Sequence, residues 1–355
     1  MSHMNIQSQN QSVLYRVKNS MALITLNRPE LVNSLNRRMV DSISEFMRES
    51  WEDDNCKFIV FFGAGDKGFC AGGDVKEIAL QIKEERYADV DMFFQNEYTL
   101  DLMVHNSPKP VVVIADGITM GGGLGIAAGA SIVLATERTR MAMPETRIGF
   151  FPDVGATGWL FSKSPAGYPE YLSLTGYEVS KRECVRLGLA THYLASKDIP
   201  RLISIMENFS ASGSESKERL SEKIIEEISK YLNSDIPEKK DMDEWVAAYF
   251  AGKSDLIDIL NSLKKCNQQQ KLCEIVFDSI AQRSPTALVL TLKLLRHNEN
   301  RPVADVFFTE LKAAAFITRH HDYMEGIRAR LIDKDDHPRW IPDSIEEVDL
   351  RKVEL

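Results

Sequence analysis

The chain has 355 residues, of which 44% are hydrophobic and 27% are charged, and its formal net charge is −9 at pH 7. This length and composition fit a globular protein with a full core, organised as one large domain and a smaller one. The net negative charge excludes a general affinity for nucleic acids or anionic membranes, although a local basic patch could still hold a phosphorylated ligand.

The first 12 residues are polar, and no apolar run approaches the roughly 18 residues of a membrane span. We therefore expect no secretory signal and no membrane partner, and we interpret Met1 to Met4 as a cloning remnant. The cysteines are Cys56, Cys70, Cys184, Cys266 and Cys273. Because they are odd in number, scattered and without a Cys-x-x-Cys pair, we expect buried, reduced thiols rather than a disulfide scaffold or a zinc site. These features favour a cytoplasmic protein.

The first 200 residues alternate between strand-like and helix-like patterns. Apolar runs typical of strands lie at residues 13–17, 21–26, 57–62, 111–115, 131–135 and 140–143, and helical spacing of apolar residues lies at 36–51, from 75 onward and at 92–103. The first two runs predict a hairpin, and residues 69–74 predict a turn of small residues. Strands that alternate with helices favour an α/β fold with parallel strands over a β-sandwich.

After about residue 194 the strand-like patterns give way to helical ones. The dipeptide Ser284-Pro285 predicts an N-cap followed by proline in the first turn, which opens a helix from Thr286 to about Arg296. A further helix is predicted over 303–318. We therefore predict an α/β core over residues 1–205 and a C-terminal helical region over residues 206–355.

A glycine triplet, Gly121 to Gly123, follows an apolar run and offers two interpretations. The glycines could allow close packing of a helix, or they could expose the amides of a helix N-terminus to a developing oxyanion. In the second interpretation the turn at 71–73 would supply another donor.

Two carboxylates, Glu145 and Asp153, lie in a segment that is otherwise almost wholly apolar. Each follows a proline, so each could be an ordinary turn residue, and Arg147 could neutralise Glu145 as an ion pair. Carboxylates with apolar neighbours are also the usual basis of tuned acid–base or nucleophilic chemistry. A site with free backbone amides of the glycine triplet on one side and these two carboxylates on the other suits acyl-transfer chemistry.

Two further patterns have competing interpretations. Gly123-x-Gly125-x-x-Ala128, with Glu145 about twenty residues later, matches a relaxed dinucleotide fingerprint. The strand at 111–115 does not run directly into it, which disfavours a nicotinamide site. Glu97 lies in an amphipathic stretch, and by itself it predicts a solvated helix face.

Four ordered motifs resemble the crotonase, or enoyl-CoA hydratase/isomerase, superfamily. They are LNRPELVNSLN at 26–36, FCAGGD at 69–74, KPVVVIADGITMGGGLG at 109–125 and MPETRIGFFPDVGA at 143–156. The last motif, with the segments at 172–194 and 321–340, is most similar to the branch that hydrolyses 3-hydroxyisobutyryl-CoA in valine breakdown. The resemblance covers nearly the whole chain.

This resemblance implies a spiral of ββα units that binds a bent coenzyme A thioester. It places the oxyanion amides on Ala71 and Gly122, and the catalytic acids on Glu145 and Asp153. Glu145 would attack the carbonyl or activate water, while Asp153 would orient the substrate hydroxyl or protonate the leaving thiolate. The substrate-binding residues would be Glu97, Gly72, Gly73, Asp74 and Gly121.

The first glutamate of the hydratase branch matches Gly125 here, so one hydratase acid is missing. Trp159 is expected to narrow the acyl pocket. We expect no metal and no cofactor beyond the coenzyme A of the substrate, an acyl-CoA as partner, and either a monomer or a homo-oligomer. The alternatives are a hydratase or isomerase on the same fold, a nicotinamide-dependent enzyme, and a non-catalytic acyl-CoA-binding protein.

Overall fold

The computed structural model describes residues 12–211, 215–351 and 353. The predictions about Met1 to Met4 and about the first 11 residues therefore lie outside the described residues. The strands are β1 (Val13–Lys18), β2 (Met21–Leu26), β3 (Phe58–Gly63), β4 (Gly68–Cys70), β5 (Val111–Ala115), β6 (Ile118–Met120), β7 (Ile132–Ala135), β8 (Arg140–Ala142), β9 (Val179–Ser180), β10 (His192–Leu194) and β11 (Leu232–Asn233).

The helices of the first part are α1 (Arg37–Glu52), α2 (Val75–Lys83), α3 (Tyr87–His105), α4 (Gly122–Gly129), α5 (Ala156–Lys163), α6 (Tyr168–Thr175) and α7 (Glu183–Arg186). Those of the second part are α8 (Ile199–Asn208), α9 (Lys217–Ile228), α10 (Lys240–Phe250), α11 (Leu256–Lys264), α12 (Gln270–Ala281), α13 (Pro285–Asn298), α14 (Val303–Ile317) and α15 (His321–Ile327).

Within the described residues the strands form two sheets, and the predicted α/β class is confirmed. The larger sheet has the order β1-β2-β3-β5-β7-β10-β11, and the smaller has the order β4-β6-β8-β9. The predicted hairpin is the antiparallel pair β1–β2, and β2, β3, β5, β7 and β10 then pair in parallel. Parallel neighbours need crossover connections, which α1, α3 and α4 supply.

Capping residues fix several helix starts. Asn36 accepts a hydrogen bond from Met39 N at 3.0 Å and begins α1. Ser284 accepts from Ala287 N at 3.0 Å and begins α13, with Pro285 in the first turn as predicted. Each cap satisfies an amide that the first helical turn leaves without a partner.

The helices beyond residue 205 share the hydrophobic cores of the sheets. Leu220, Ile224 and Ile228 of α9 pack with Phe58 and other residues of the larger sheet. Helix α14 packs on α3, and α13 packs on α5 and α6. The C-terminal region therefore forms a wall of the molecule directly behind α3 and α5. The predicted boundary at residue 205 itself stays a prediction.

The structure corrects one expectation about the thiols. Cys266, after α11, and Cys273, in α12, form a disulfide, whereas Cys56, Cys70 and Cys184 are free and buried. The turn that joins the two helices brings α12 back against α11, and no sequence motif marks this pairing.

Among the described residues, no helix is both long and apolar enough to cross a membrane.

Candidate active site

The glycine triplet forms the junction between β6 and α4. Gly121 has φ +49°, a conformation that glycine adopts without the strain of a side chain, and α4 begins at Gly122. A Cβ atom at Gly121 would lie 3.0 Å from Glu145 Oε1, and one at Gly122 would collide with Glu97 Oε1. The glycines therefore let two carboxylates approach the backbone at the start of the helix.

Two amides at this junction have no hydrogen-bond acceptor among the described residues. Gly122 N–H is the first amide of α4, so it lacks a partner within the helix. Gly73 N–H is likewise without a backbone acceptor, and it lines the same cavity. The turn that contains Gly73 abuts Gly121 and Gly122, since a Cβ at Gly72 would lie 3.3 Å from Gly122 N.

The prediction for Ala71 is wrong in this structure. Its N–H donates to Val32 O at 3.0 Å, so it is not available to a substrate. Residues two apart in a regular extended segment direct their amides to the same side, but Gly72 has φ +95°, so the backbone changes direction between Ala71 and Gly73. The structure places that role on Gly73 instead.

A cavity of about 620 Å³ opens in front of these amides. Its walls include the predicted site residues Ala71, Gly72, Gly73, Asp74, Glu97, Gly121, Gly122, Glu145 and Asp153, and also the aromatic residues Phe93, Phe94, Phe150 and Tyr323. The structure thus brings together all nine predicted site residues. An apolar pocket with a few convergent polar groups is typical of a small-molecule site.

Glu145 begins a short 3-10 turn, Glu145–Ile148, directly beside the glycine junction. Its Oε2 is buried and has no hydrogen-bond partner among the described residues. Burial, with a further contribution from the negative charge of Asp153, raises the pKa of Glu145 well above its usual range. Within the described part of the chain no ion pair joins Arg147 to Glu145, so the simple ion-pair interpretation is not supported.

Asp153 is buried and accepts a hydrogen bond from Tyr98 Oη at 2.9 Å. Burial raises its pKa to about 7, although the hydrogen bond from Tyr98 opposes that shift. The negative charge of Asp153 opposes ionisation of Glu145, so the two carboxyls do not titrate independently.

Glu97 does not lie on a solvated face, contrary to the interpretation of its local pattern. Glu97 is only 2% exposed, and its Oε1 lies against the backbone of Gly122, where a Cβ atom would collide with it. Burial and the charge of Asp153 raise the pKa of Glu97 well above its usual range, and its Oε1 has no partner among the described residues. The carboxyl therefore points into the site in a form that can donate a proton or a hydrogen bond.

Two predicted contributions are different in the structure. Asp74 lines the cavity, but its carboxylate is held by Arg28 Nη2 at 3.0 Å and also caps α2. Trp159 does not line this cavity; its Nε1 donates to Val154 O at 3.0 Å, and its ring lines a separate cavity beyond α5. The expectation that Trp159 narrows the acyl pocket is therefore wrong.

The glycines of the dinucleotide fingerprint lie inside α4 rather than in a phosphate-binding turn. A Cβ at Gly123 would lie 2.5 Å from Cys70 O, and one at Gly125 would lie 2.6 Å from Val154 Cβ. These glycines serve close packing, so the nicotinamide alternative lacks the loop that it needs.

Several residues of the site were missed from the sequence. Tyr98 follows Glu97 directly, but the hydroxyl of a tyrosine in a helix carries no pattern of its own. Tyr323 comes from α15, and Glu310, whose carboxylate binds the backbone after Asp153, comes from α14. Asp101 lies one turn after Glu97, is fully buried and has no hydrogen-bond partner for either oxygen among the described residues.

Residues 21–355 match the family model described as Enoyl-CoA hydratase/isomerase. The Gallus gallus protein named 3-hydroxyisobutyryl-CoA hydrolase, mitochondrial, is 36% identical over 342 residues, which cover 95% of this chain and 86% of that protein. Small ribosomal subunit protein mS47 of Schizosaccharomyces pombe is 32% identical over 338 residues, covering 94% and 77%. A solved carnitinyl-CoA dehydratase from Mycobacterium thermoresistibile has a TM-score of 0.85 and 31% identity, covering 97% of this chain and 95% of that one.

Proposed function

The chain belongs to the enoyl-CoA hydratase/isomerase family, and from this premise we propose that it hydrolyses the thioester of 3-hydroxyisobutyryl-CoA. The name of the chicken relative supports the reaction and the substrate. The position of the two acids beside the free amides supports the reaction independently of any name.

One observation carries the choice of hydrolysis over hydration. In the family resemblance, hydratases place an acid at the position of Gly125, but here the side chain of Val154 occupies the space that a side chain at 125 would need. The second acid of this site is Asp153, the neighbour of Val154, on the turn after Phe151. A pair formed by Glu145 and Asp153 serves attack on a carbonyl better than addition of water across a double bond.

The amides would bind the thioester oxygen. With that oxygen between Gly73 N–H and Gly122 N–H, the two donors would polarise the carbonyl and stabilise the oxyanion of the tetrahedral intermediate. The N-terminus of α4 adds a favourable partial charge at the same point. Loss of one such donor typically costs about 10²–10³-fold in rate.

Glu145, beside these donors, would act as nucleophile or as general base. In the first case its carboxylate attacks the carbonyl carbon, the C–S bond breaks, and water then hydrolyses the mixed anhydride. In the second case it takes a proton from water, whose oxygen attacks the carbonyl carbon. Both routes consume one water and release the free acid and the thiol of coenzyme A.

Asp153 would hold the proton that the departing thiolate needs. Burial raises the pKa of both acids, that of Asp153 to about 7, so the pair can hold one proton near neutral pH. Transfer of this proton to Asp153 would leave Glu145 as the base and Asp153 as the acid. Glu97, with its raised pKa, would donate a hydrogen bond to the acyl end of the substrate.

Cationic side chains in the lining of the cavity suit the phosphates of coenzyme A. They are Lys76, Arg147 and Arg330, the last of which is paired with Asp336. Such a patch attracts phosphorylated ligands despite the negative net charge of the chain. We further propose that the reaction belongs to valine breakdown, that no cofactor other than the substrate's coenzyme A takes part, and that the protein works in the cytoplasm.

The test is release of free thiol from 3-hydroxyisobutyryl-CoA, with hydration of crotonyl-CoA followed in parallel on the same protein. Thiol release without hydration is the expected result. Hydration without thiol release would contradict the proposal and favour the dehydratase chemistry of the solved relative's name. Tight binding of the thioester without turnover would instead indicate a non-catalytic acyl-CoA-binding protein.

A further inference from the structure

Asp153 lies on a turn with unusual backbone geometry. Val154 has φ +52° and Gly155 has φ +81°, so two successive residues adopt the left-handed region. A β-branched residue such as valine rarely adopts that conformation, because its Cβ meets the backbone. Such a turn persists only where its surroundings determine it from several sides.

The C-terminal region supplies the strongest of these restraints. Glu310 of α14 is fully buried, and its Oε2 accepts from Gly155 N at 2.6 Å. Its Oε1 accepts from Thr157 N at 3.1 Å and from Thr157 Oγ1 at 2.5 Å. Asn298 Nδ2 donates to the same Thr157 hydroxyl at 2.8 Å, which leaves the hydroxyl proton directed at Glu310.

Glu310 therefore caps α5 from a different part of the chain. Gly155 is the N-cap residue of α5 and has no side chain that could cap the helix. The carboxylate of Glu310, 155 positions later in the sequence, accepts the hydrogen bonds instead. A buried carboxylate is costly unless several donors bind it. Three donors from one helical turn bind it and fix the turn in a single conformation, although burial still raises the pKa of Glu310 to about 8.

We propose that Glu310 is a positioning residue for the reaction, which acts by holding the turn 153–155 so that the carboxyl of Asp153 faces Glu145. This inference rests on the proposed function of Asp153. Glu310 does not line the cavity, so it acts through Asp153 and not on the substrate.

The experiment compares the Glu310→Gln variant with the unsubstituted protein and with the Asp153→Asn variant. A glutamine retains one good acceptor and the volume of the side chain. We expect kcat for thiol release to fall by about 100-fold, with KM changed by no more than about twofold, since misplacement of one catalytic group by about 1 Å costs this much. In the Asp153→Asn background, Glu310→Gln should cause almost no further loss.

The matched control is Glu207→Gln. Glu207 is also a buried carboxylate that accepts hydrogen bonds, in its case from Lys18 at 2.8 Å and from Arg16. It does not line the cavity. The kcat of the Glu207→Gln variant should equal that of the parent protein. A kcat unchanged in Glu310→Gln, or an equal loss with and without Asp153, would overturn the positioning role.

Two measurements keep the test decisive. If Glu310→Gln does not fold, Thr157→Val removes one donor and keeps the carboxylate; a smaller loss of kcat that disappears in Asp153→Asn supports the proposal, and no loss overturns it. Amide hydrogen exchange on the substrate-free protein needs no activity. Faster exchange at Gly155 and Thr157 in Glu310→Gln supports the restraint even if the thioester is not hydrolysed, while unchanged exchange overturns it.

Discussion

The side chain of Val154 fills the space next to Gly125. A Cβ atom at position 125 would lie 2.6 Å from Val154 Cβ and 2.9 Å from Asp101 Oδ2, and Cβ atoms do not approach other heavy atoms so closely. The absence of an acid at 125 and the presence of Asp153 are thus linked, because the turn that carries Asp153 packs the side chain of Val154 against Gly125 of α4. An acid at 125 and the present turn exclude each other.

Gly125→Ala should therefore damage hydrolysis without creating hydration. The new methyl group must displace the turn, so we expect a loss of about 1–3 kcal/mol in the free energy of unfolding and about 100-fold in kcat. Val154→Gly in the same chain removes the opposing Cβ and should restore part of the stability. Urea unfolding and thiol release measure both effects. An alanine tolerated at 125 with normal kcat would contradict the packing described here.

Glu145→Gln should lower kcat for thiol release by at least about 10³-fold, because a neutral amide can neither attack a thioester nor take a proton from water. Binding of the coenzyme A thioester, measured by calorimetry, should change little. Glu207→Gln serves again as the control for loss of a carboxylate. Turnover within tenfold of the parent would exclude the role given to Glu145.

Tyr98→Phe should shift the pH dependence of kcat upward. The hydrogen bond from Tyr98 favours the ionised form of Asp153, so its removal raises the pKa of that carboxyl above about 7. The acidic limb of the profile reports the first ionisation of the coupled pair, and this limb should move to higher pH while the plateau is retained. Tyr171→Phe, in α6, should leave the profile in place. An unmoved limb in Tyr98→Phe would mean that another group controls it.

Asp153→Asn should stabilise the protein above neutral pH while lowering its activity to a small, measurable residual rate. Between the ordinary pKa of 3.8 and the native value of about 7, the unfolded chain has released the proton that the native protein still holds. The free energy of unfolding therefore falls as the pH rises through this window and is level above it. At 1.36 kcal/mol per pKa unit, the asparagine variant should gain up to about 4 kcal/mol at pH 8 and nothing at pH 3.5.

Asp101→Asn is the companion variant for this measurement. Asp101 is fully buried, burial raises its pKa well above the usual range, and it does not line the cavity. It should also be more stable than the parent at pH 8, which checks that burial of a carboxyl causes this pH dependence. If the free energy of unfolding of Asp153→Asn at pH 8 were lower than that of the parent, the native site would favour the ionised carboxyl over the amide, and the expectation would be contradicted.

Local signals in the sequence located much of this fold. The alternation in β1 and β2, the N-cap Asn36 and the dipeptide Ser284-Pro285 each act within a few residues, so their outcome does not depend on the rest of the chain. The glycine junction and both acids were also found, because glycine and isolated carboxylates are conspicuous in an apolar segment. Strand β6 was missed, since three residues show no periodicity.

The errors share one physical cause, which is dependence on distant partners. Ala71 and Gly73 lie two residues apart, and the positive φ of Gly72 together with the pairing to residues 32–35 decides which of their amides is bonded. Glu97 has the local pattern of a solvated residue, but its carboxyl is buried against Gly122, which lies 25 positions later in the chain. The Cys266–Cys273 pair depends on how two helices turn back on each other.

The burial of so many acids has a consequence for how the chain folds. In the unfolded chain, water surrounds Glu97, Asp101 and Glu145, and each titrates as an ordinary carboxyl. Burial in the native protein raises the pKa of each well above its usual range, so the native protein holds protons at pH values where the unfolded chain has released them. Folding of this protein is in that sense linked to proton uptake, and the folding equilibrium should shift toward the unfolded chain as the pH rises.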